Sequence, residues 1–260
     1  MENMDDLRPC PFCGTRRDYT MLKIENTVVF GWEAAIRGMR NPMNSWEKSD
    51  SGPAVDCGKC GKIEREGVCR KEDRDCTGHE CFCVGENDLA LMQRLVRSGP
   101  DHGKFLRMVN VTADITAPLY WWKEYDTYKV GTVANSCSTM HKIAAKPFSI
   151  SDFSCQRLHA EYLDGMRETI RLLNRARDMY LSSLTQEKPL VEPKTYWWQM
   201  IQLLPSSYNQ RRTVQLNYEV LRKMYFARKD HKLDEWRTLC DWMLALPYFR
   251  EICCDEGGKD

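Results

Sequence analysis

Residues 105–131 read FLRMVNVTADITAPLYWWKEYDTYKVG, and this stretch predicts a strand followed by a short helix. Between Met108 and Ile115 the side chains alternate, with Asn, Thr and Asp on one face and Val, Ala and Ile on the other. That period is typical of a strand with one buried face. The pair Ala117-Pro118 ends the strand, because proline has no N–H to continue the ladder. The aromatic run LYWW that comes next indicates a short helix.

Helical spacing dominates the chain on both sides of this strand. Residues 87–99 carry apolar side chains at helical intervals and end in a Gly-Pro stop signal. Residues 132–141 are small and polar and predict a loop. The same periodicity predicts four further helices, at 152–184, 195–204, 209–229 and 231–246. We therefore predict an α+β fold, with a mixed α/β main domain in which long helices surround a small sheet.

The composition excludes several classes of protein. Of 260 residues, 42% are hydrophobic and 29% are charged, which supplies a core and argues against a disordered chain. The formal net charge is +1, so binding to nucleic acid through bulk charge is disfavoured. No apolar run approaches the roughly 18 residues that a membrane-spanning helix needs. The first ten residues, MENMDDLRPC, lack the apolar segment of a signal peptide.

The cysteines divide the chain. There are 13 of them, an odd number, and two CxxC pairs without a secretion signal favour metal-bound thiolates in a reducing cytoplasm over a disulfide scaffold. Eight lie before residue 84. We therefore predict a small Cys-rich, zinc-ribbon-like domain at residues 1–85, the main domain at 86–250 and an acidic tail at 251–260, and we expect a cytoplasmic protein.

Two matched CxxC-Gly pairs predict a structural zinc site. The segment RPCPFCG supplies Cys10 and Cys13, and VDCGKCG supplies Cys57 and Cys60. Two such knuckles give the four tetrahedral thiolates of a structural zinc site. The first knuckle resembles the short zinc ribbons of small phage and bacterial proteins, including restriction-alleviation proteins.

A second group of thiols follows the first and matches no named motif. It could hold a second zinc ion or an iron–sulfur cluster, because thiolates alone do not select the metal. It could also be a thiol-rich linker. Its members are Cys69, Cys76, His79, Cys81 and Cys83.

The main domain resembles the flavin-dependent thymidylate synthase family over about residues 88–246. That family has a strand ending in Ala-Pro and, eleven residues on, an Arg-His-Arg triplet, where this chain has TYK at 127–129. The family loop N-E-x-S-x-R-Y meets NSCSTMH at 135–141. The stretch LLPSSYNQRRTVQLNYEVLRKMYFARKDHKLDEWRTL (203–239) is similar to the family's Leu-Pro, N-x-x-x-L, Leu-Arg and E-I-R helical pattern.

The resemblance implies a methyltransferase that converts dUMP to dTMP with reduced FAD, a folate one-carbon donor and NADPH. It also implies an active site built between the subunits of a homotetramer. By position, Ser138 and Arg237 would be catalytic, and Ser138, Arg228 and Arg237 would bind dUMP. The positions that would bind the flavin are Lys129, Tyr128, Asn135, Asn217 and His102. The predicted helix at 209–229 would place Asn217 and Arg228 on one face.

Departures from the family pattern leave two alternatives open. The triplet keeps only its last basic charge, and the loop has Ser136 and Met140 where the family has Glu and Arg. The chain could be a catalytically degenerate protein that binds a nucleotide or a partner protein, with the ribbon as its interaction module. It could also be a zinc-ribbon nucleic-acid-binding protein of phage origin, although acidic residues dilute the basic ones near the knuckles.

Overall fold

The computed structural model describes residues 22–53 and 82–254. These residues form a mixture of helices and strands with a small sheet and long helices, which confirms the predicted α+β class. Contacts divide the chain into two compact units. Of the described residues, the larger unit comprises 24–53, 82–115, 125–136 and 212–254. The smaller unit comprises 22–23, 116–124 and 137–211.

Six strands are found among the described residues. Four of them form one sheet in the order β1-β4-β6-β5, and β2 pairs with β3 in a separate two-stranded sheet. The strands are β1 (Lys23–Phe30), β2 (Gly52–Pro53), β3 (Phe82–Cys83), β4 (Asn110–Pro118), β5 (Val133–Ser136) and β6 (Asn209–Asn217).

Eight α-helices accompany these strands in the described part of the chain. They are α1 (Trp32–Arg40), α2 (Glu86–Arg97), α3 (Leu119–Tyr125), α4 (Ala160–Leu184), α5 (Pro193–Leu203), α6 (Tyr218–Arg228), α7 (Asp234–Leu244) and α8 (Phe249–Cys253). Helix α6 packs against α7, and α8 packs against α2, α6 and α7, all within the larger unit.

Strand β4 follows the alternation that the sequence predicted. Val109, Val111, Ala113 and Ile115 are at most 1% exposed, whereas the residues between them are half-buried. Burial of this apolar face contributes on the order of 25 cal/mol for each Å² removed from water. The short aromatic helix predicted after the Ala-Pro pair is α3.

The helix predicted at 209–229 was wrong in its first half. Residues 209–217 form β6, in which Val214 and Leu216 are buried while Thr213 and Gln215 are exposed. Buried and exposed residues therefore alternate with the period of two that is typical of a strand. The burial of Val214 and Leu216 stabilises the strand over the predicted helix. The predicted loop at 132–141 likewise contains strand β5, which pairs antiparallel with β6.

Aromatic contacts hold the core of the larger unit together. The ring of Tyr218 lies edge-on to Trp32 at 5.4 Å and to Phe249 at 5.3 Å between ring centroids. The buried hydroxyl of Tyr218 donates to the carbonyl of Pro247 at 2.6 Å, so its polar atom is satisfied inside the core. These contacts join the start of α6 to α1 and α8.

A buried ion pair fixes α2 to the end of α1. Asp88 and Arg40 are 0% and 4% exposed, and Arg40 Nε lies 2.6 Å from Asp88 Oδ1. The second carboxylate oxygen accepts from Ser49 Oγ and Ser51 Oγ, each at 2.7 Å, and from the backbone N–H of Asp50 at 3.2 Å. Buried charges are tolerated when they are paired and hydrogen-bonded in this way.

The boundary predicted at residue 85 stays a prediction. Of the predicted Cys-rich domain, residues 22–53 and 82–85 are described, and β1 is hydrogen-bonded to β4 in the four-stranded sheet. On either side of residues 54–81, Gly52 pairs with Cys83 and Pro53 with Phe82. The residues that flank that 28-residue stretch are therefore held together by the β2–β3 pair.

The smaller unit is a helical layer built on α4 and α5, which pack along each other. Its core residues are Ile143, Phe148, Phe153, Leu173, Ala176 and Met200. Asn174 of α4 accepts from the N–H of Phe148 at 2.8 Å and donates to its carbonyl at 2.9 Å, which ties the loop to the helix. In the described residues no helix is both long and apolar enough to cross a membrane.

Candidate functional site

The predicted site residues fall into both units. The predicted flavin positions and the two predicted dUMP arginines all lie in the larger unit, whereas Ser138 lies in the smaller one. Eight predicted metal ligands lie outside the described residues: Cys10, Cys13, Cys57, Cys60, Cys69, Cys76, His79 and Cys81. Cys83 lies half-buried in β3. Within residues 22–53 and 82–254, no group of three or more His, Cys, Asp or Glu is arranged to hold a metal ion.

Arg228 is the centre of an aromatic cluster in the larger unit. Its Nε donates to the hydroxyl of Tyr128 at 3.0 Å, across 100 residues of sequence. Its guanidinium carbon lies 4.6 Å from the ring centroid of Trp236 and 5.6 Å from that of Tyr128. We refer to Tyr128, Arg228, His231 and Trp236 as the Arg228 cluster. A guanidinium placed over an indole gains about 0.5–1 kcal/mol at an exposed site and about 2 kcal/mol when it is desolvated.

Trp236 forms the buried wall of this cluster. It is 0% exposed, and its ring lies edge-on to Tyr128 at 5.9 Å and to His231 at 6.2 Å between centroids. The side chain of Arg228 is half-buried at the last residue of α6. A cation at a helix C-terminus is also favoured by the helix dipole.

Arg237 braces the turn that carries His231. Its Nη1 donates to the carbonyl of His231 at 2.9 Å, and its Nη2 pairs with the carboxylate of Asp234. The N–H of Leu233 donates to His231 Nδ1 at 3.1 Å, which fixes the orientation of the imidazole ring. The backbone N–H of His231 donates to the carbonyl of Arg228 at 3.0 Å, so both predicted dUMP arginines contact His231. The side chain of Arg237 is exposed in the first turn of α7.

Asn217 caps α6 instead of lying on its face. Its Oδ1 accepts from the backbone N–H of Val220 at 3.0 Å. The predicted helix at 209–229 was to carry Asn217 and Arg228 on one face; Asn217 instead lies before the helix in extended conformation, and the cap engages its Oδ1. Gly131, at φ 79°, lies against this cap, and a Cβ there would come within 3.0 Å of the Asn217 amide nitrogen. Lys129 lies exposed two residues before this glycine.

His102 lies at a cavity of about 670 Å³ in the larger unit. The apolar part of its lining comes from α1, the turn that follows it, α2 and the chain before β4, and it includes Met39, Pro42, Met43, Leu95, Phe105 and Met108. Asp101, His102, Lys104 and Arg107 supply its polar part. A mostly apolar wall with a few convergent polar groups is the usual composition of a site for a cofactor or small molecule.

Arg107 is paired at the edge of this cavity. Its Nε and Nη2 both donate to the carboxylate of Glu219, and Lys223 Nζ lies 3.0 Å from the same group. The hydrogen bond from Arg107, together with Lys223, holds the pKa of Glu219 below its usual value although burial opposes this. Glu219 therefore stays ionised and neutralises part of the positive charge at the cavity.

Of the two loop residues predicted from the family motif, Asn135 lies in a strand and Ser138 lies in a hydrogen-bonded turn. Asn135 is exposed on β5, opposite Thr213 of β6. Within the smaller unit, Ser138 Oγ accepts from the N–H groups of Met140 at 3.2 Å and His141 at 2.9 Å. Trp197 Nε1 donates to the carbonyl of Met140 at 3.0 Å, which fixes this turn against α5.

Several side chains at these sites were not predicted from the sequence. Trp236, His231 and Arg107 were absent from the predicted set, because aromatic and basic residues on helices most often belong to the core or the surface. Trp121 and Trp122 are at most 1% exposed and belong to the core. Trp122 Nε1 donates to the carbonyl of Gln210 at 2.9 Å within the smaller unit.

No family model and no curated protein matches the chain. Two solved structures of thymidylate synthase X (ThyX) from Helicobacter pylori are similar to it, both with FAD and dUMP. The first has a TM-score of 0.56 and the second 0.55, each at 15% sequence identity over 90% of this chain and 98% of that chain. At this identity the likeness concerns the fold alone, and the chain accordingly has a distantly ThyX-like fold.

Proposed function

We propose that the protein is a diverged flavin-dependent thymidylate synthase, a methyltransferase that converts dUMP to dTMP. The observation that carries the proposal is the Arg228 cluster, because it places a guanidinium on an aromatic wall at the position that the family resemblance assigns to dUMP. The ThyX-like fold, in neighbours described with FAD and dUMP, supports the same reading. Arg228, Arg237 and Ser138 are the proposed dUMP residues.

Arginine suits a nucleotide because its planar fork can donate two parallel hydrogen bonds to a phosphate or to a uracil carbonyl. In the proposed enzyme Arg228 binds the nucleotide and polarises it. Arg237 acts through His231 or on the nucleotide directly, and Ser138 donates its hydroxyl proton. Ser138 Oγ already accepts two backbone N–H groups, which leaves its O–H as the donor to a ligand.

The cavity beside His102 fits a flavin in the chemistry of its lining. Its wall of Met and Phe side chains suits a planar ring, and His102 and Lys104 suit a diphosphate. Bound reduced FAD would supply hydride in this reaction, while NADPH would recharge it and a folate would donate the carbon. We propose that His102, Lys129, Asn135 and Asn217 bind and orient the flavin. Tyr128 was assigned to the flavin as well, and its hydroxyl also meets Arg228.

The remaining features are proposed on the sequence alone. Cys10, Cys13, Cys57 and Cys60 would hold a structural zinc ion, and the second thiol group a second metal. The active site would be completed between the subunits of a homotetramer, and the many reduced thiols suit a cytoplasmic enzyme.

Rescue of a thymidine-requiring bacterial strain tests the proposed function. Expression of the wild-type chain should restore growth without thymidine, and the Arg228→Ala variant should not. The purified wild-type protein should also be yellow, or turn yellow on addition of FAD. Failure of the wild type to rescue, together with no calorimetric heat for dUMP or FAD, would refute the enzyme.

One observation favours a second candidate, a nucleotide-binding protein without catalysis. The flavin triplet of the family reads Thr127, Tyr128 and Lys129, and the hydroxyl of Tyr128 is engaged by Arg228. Binding of dUMP without rescue and without FAD binding would select this candidate over the enzyme.

A further inference from the structure

We propose that Arg107 binds the phosphate of a flavin at the cavity beside His102, and that Glu219 limits how tightly this phosphate is bound. This inference rests on the proposed function, because it takes a flavin as the ligand of the cavity. It assigns the flavin ring to the apolar wall and the phosphate to Arg107. Neither Arg107 nor Glu219 belongs to the residues that the family resemblance named.

The local fold anchors Arg107 beside the cavity. Arg107 is the last residue of the 3-10 turn Gly103–Arg107, which packs against α1, α2 and α6. Phe105 and Leu106 of this turn are at most 3% exposed, whereas the side chain of Arg107 is 60% exposed and lines the cavity. An exposed cation on an anchored turn can meet an anionic group of a ligand while the apolar part of that ligand fills the cavity.

The guanidinium of Arg107 keeps donors that its ion pair does not use. Its Nε and Nη2 donate to the two carboxylate oxygens of Glu219. No other acceptor meets this guanidinium within residues 22–53 and 82–254. A guanidinium has five N–H donors in a fixed fork, so the pair with Glu219 leaves both protons of Nη1 and one of Nη2. Donors in this arrangement suit the oxygens of a phosphate.

Glu219 both holds Arg107 and offsets its charge. The hydrogen bond from Arg107, together with Lys223, keeps the pKa of Glu219 below its usual value, so the carboxylate is ionised at neutral pH. A phosphate bound to Arg107 would therefore lie near a second negative charge and be repelled by it. Asp101 lines the same cavity and also interacts electrostatically with Arg107. Glu219 thus lowers the affinity for phosphate while it fixes one edge of the guanidinium.

Two flavins that share one ring system isolate the contribution of the phosphate. Riboflavin carries no phosphate, whereas FMN carries a terminal phosphate monoester. Titration followed by flavin fluorescence at neutral pH gives a Kd for each, and the ratio of the riboflavin Kd to the FMN Kd measures phosphate recognition. We expect this ratio to be about ten or more in the wild type. Added salt should lower it, because salt screens exposed charges.

Substitutions at the two partners should move this ratio in opposite directions. Arg107→Gln should lower it about tenfold and leave the riboflavin Kd within about twofold of the wild type. Glu219→Gln keeps the shape and one acceptor oxygen but removes the charge, so the ratio should rise about threefold. Arg171→Gln and Glu168→Gln are matched controls. They make the same charge changes in a bidentate pair of the smaller unit, which contributes no residue to the cavity, and should leave the ratio unchanged.

The outcomes separate this inference from the proposed function. Equal ratios in the wild type, Arg107→Gln and Glu219→Gln would overturn the role of the pair, and so would a wild type that binds neither flavin. If the ratios shift as expected but the wild type does not rescue the thymidine-requiring strain, the proposed function fails and the role of Arg107 stands. If Glu219→Gln does not fold, Arg107→Gln still decides, since its side chain is exposed.

Discussion

Replacing Asp88 by Asn should cost the larger unit about 3–5 kcal/mol of folding free energy. Asp88 is 0% exposed and accepts from Arg40 Nε at 2.6 Å and from two serine hydroxyls at 2.7 Å. The amide keeps the shape but removes the negative charge, so Arg40, at 4% exposed, is left as an uncompensated buried cation. For a unit of this size the cost corresponds to a fall in Tm of about 6–20 °C.

The stability that the Asp88 carboxylate contributes should decrease as the pH falls. Burial raises the pKa of Asp88, but the hydrogen bonds from Ser51, Ser49 and Arg40 outweigh it and hold the pKa below the ordinary value of 3.8. A carboxyl with a lowered folded pKa adds stability above its unfolded pKa and loses it as the pH falls through the folded value. The difference in Tm between wild type and Asp88→Asn should therefore be largest near pH 7 and should decrease below about pH 3.8.

Circular dichroism during thermal unfolding measures both effects. The matched control is Asp178→Asn, whose carboxylate is 71% exposed and pairs with Arg177 at 3.1 Å. An exposed pair of this kind contributes about 0–1 kcal/mol. A Tm for Asp88→Asn that is indistinguishable from that of Asp178→Asn at pH 7 would refute the assignment of Arg40 and Asp88 as a coupled buried pair.

Two further predictions concern the cavity beside His102 and residues 54–81. Gly38→Leu should fill the cavity beside His102, because a Cβ at Gly38 meets only the flexible end of Met108, at 3.0 Å. FAD binding, measured by flavin fluorescence, should be lost with little change in Tm, while Gly165→Leu on α4 should bind FAD as the wild type does. Replacing residues 54–81 by Asn-Gly should give a hairpin between Pro53 and Phe82 and a folded protein. This variant should bind less zinc per chain than the wild type does. An unfolded variant would contradict the expected hairpin.

Local sequence patterns predicted the parts of the fold that depend on local spacing. The alternation around Val111 predicted β4, and the long run of helical spacing predicted α4, which begins eight residues later than expected. In β6 the same method failed, because QRRTVQLN carries only two buried apolar residues and runs directly into α6. Asn217, as the N-cap, marks the boundary that helical periodicity had hidden.

The resemblance to a family named candidate site residues, but it predicted none of the contacts that the structure shows between them. Arg228 and Tyr128 were both named from positional resemblance, but their hydrogen bond joins residues that are 100 apart in sequence. No local pattern encodes such a pair, since it depends on how α6 and α7 pack against the chain that follows α3. Trp236 was not predicted as a site residue, because a buried tryptophan on a helix has the sequence pattern of a core residue.

The central claim is that Arg228 binds a nucleotide in a ThyX-like fold. Calorimetric titration of dUMP into wild type and Arg228→Ala tests this claim most directly, with Arg171→Ala as a control that removes an equally charged but exposed side chain. We predict that wild type and Arg171→Ala bind dUMP with similar Kd, and that Arg228→Ala binds at least tenfold more weakly. Equal binding by all three proteins would contradict the account.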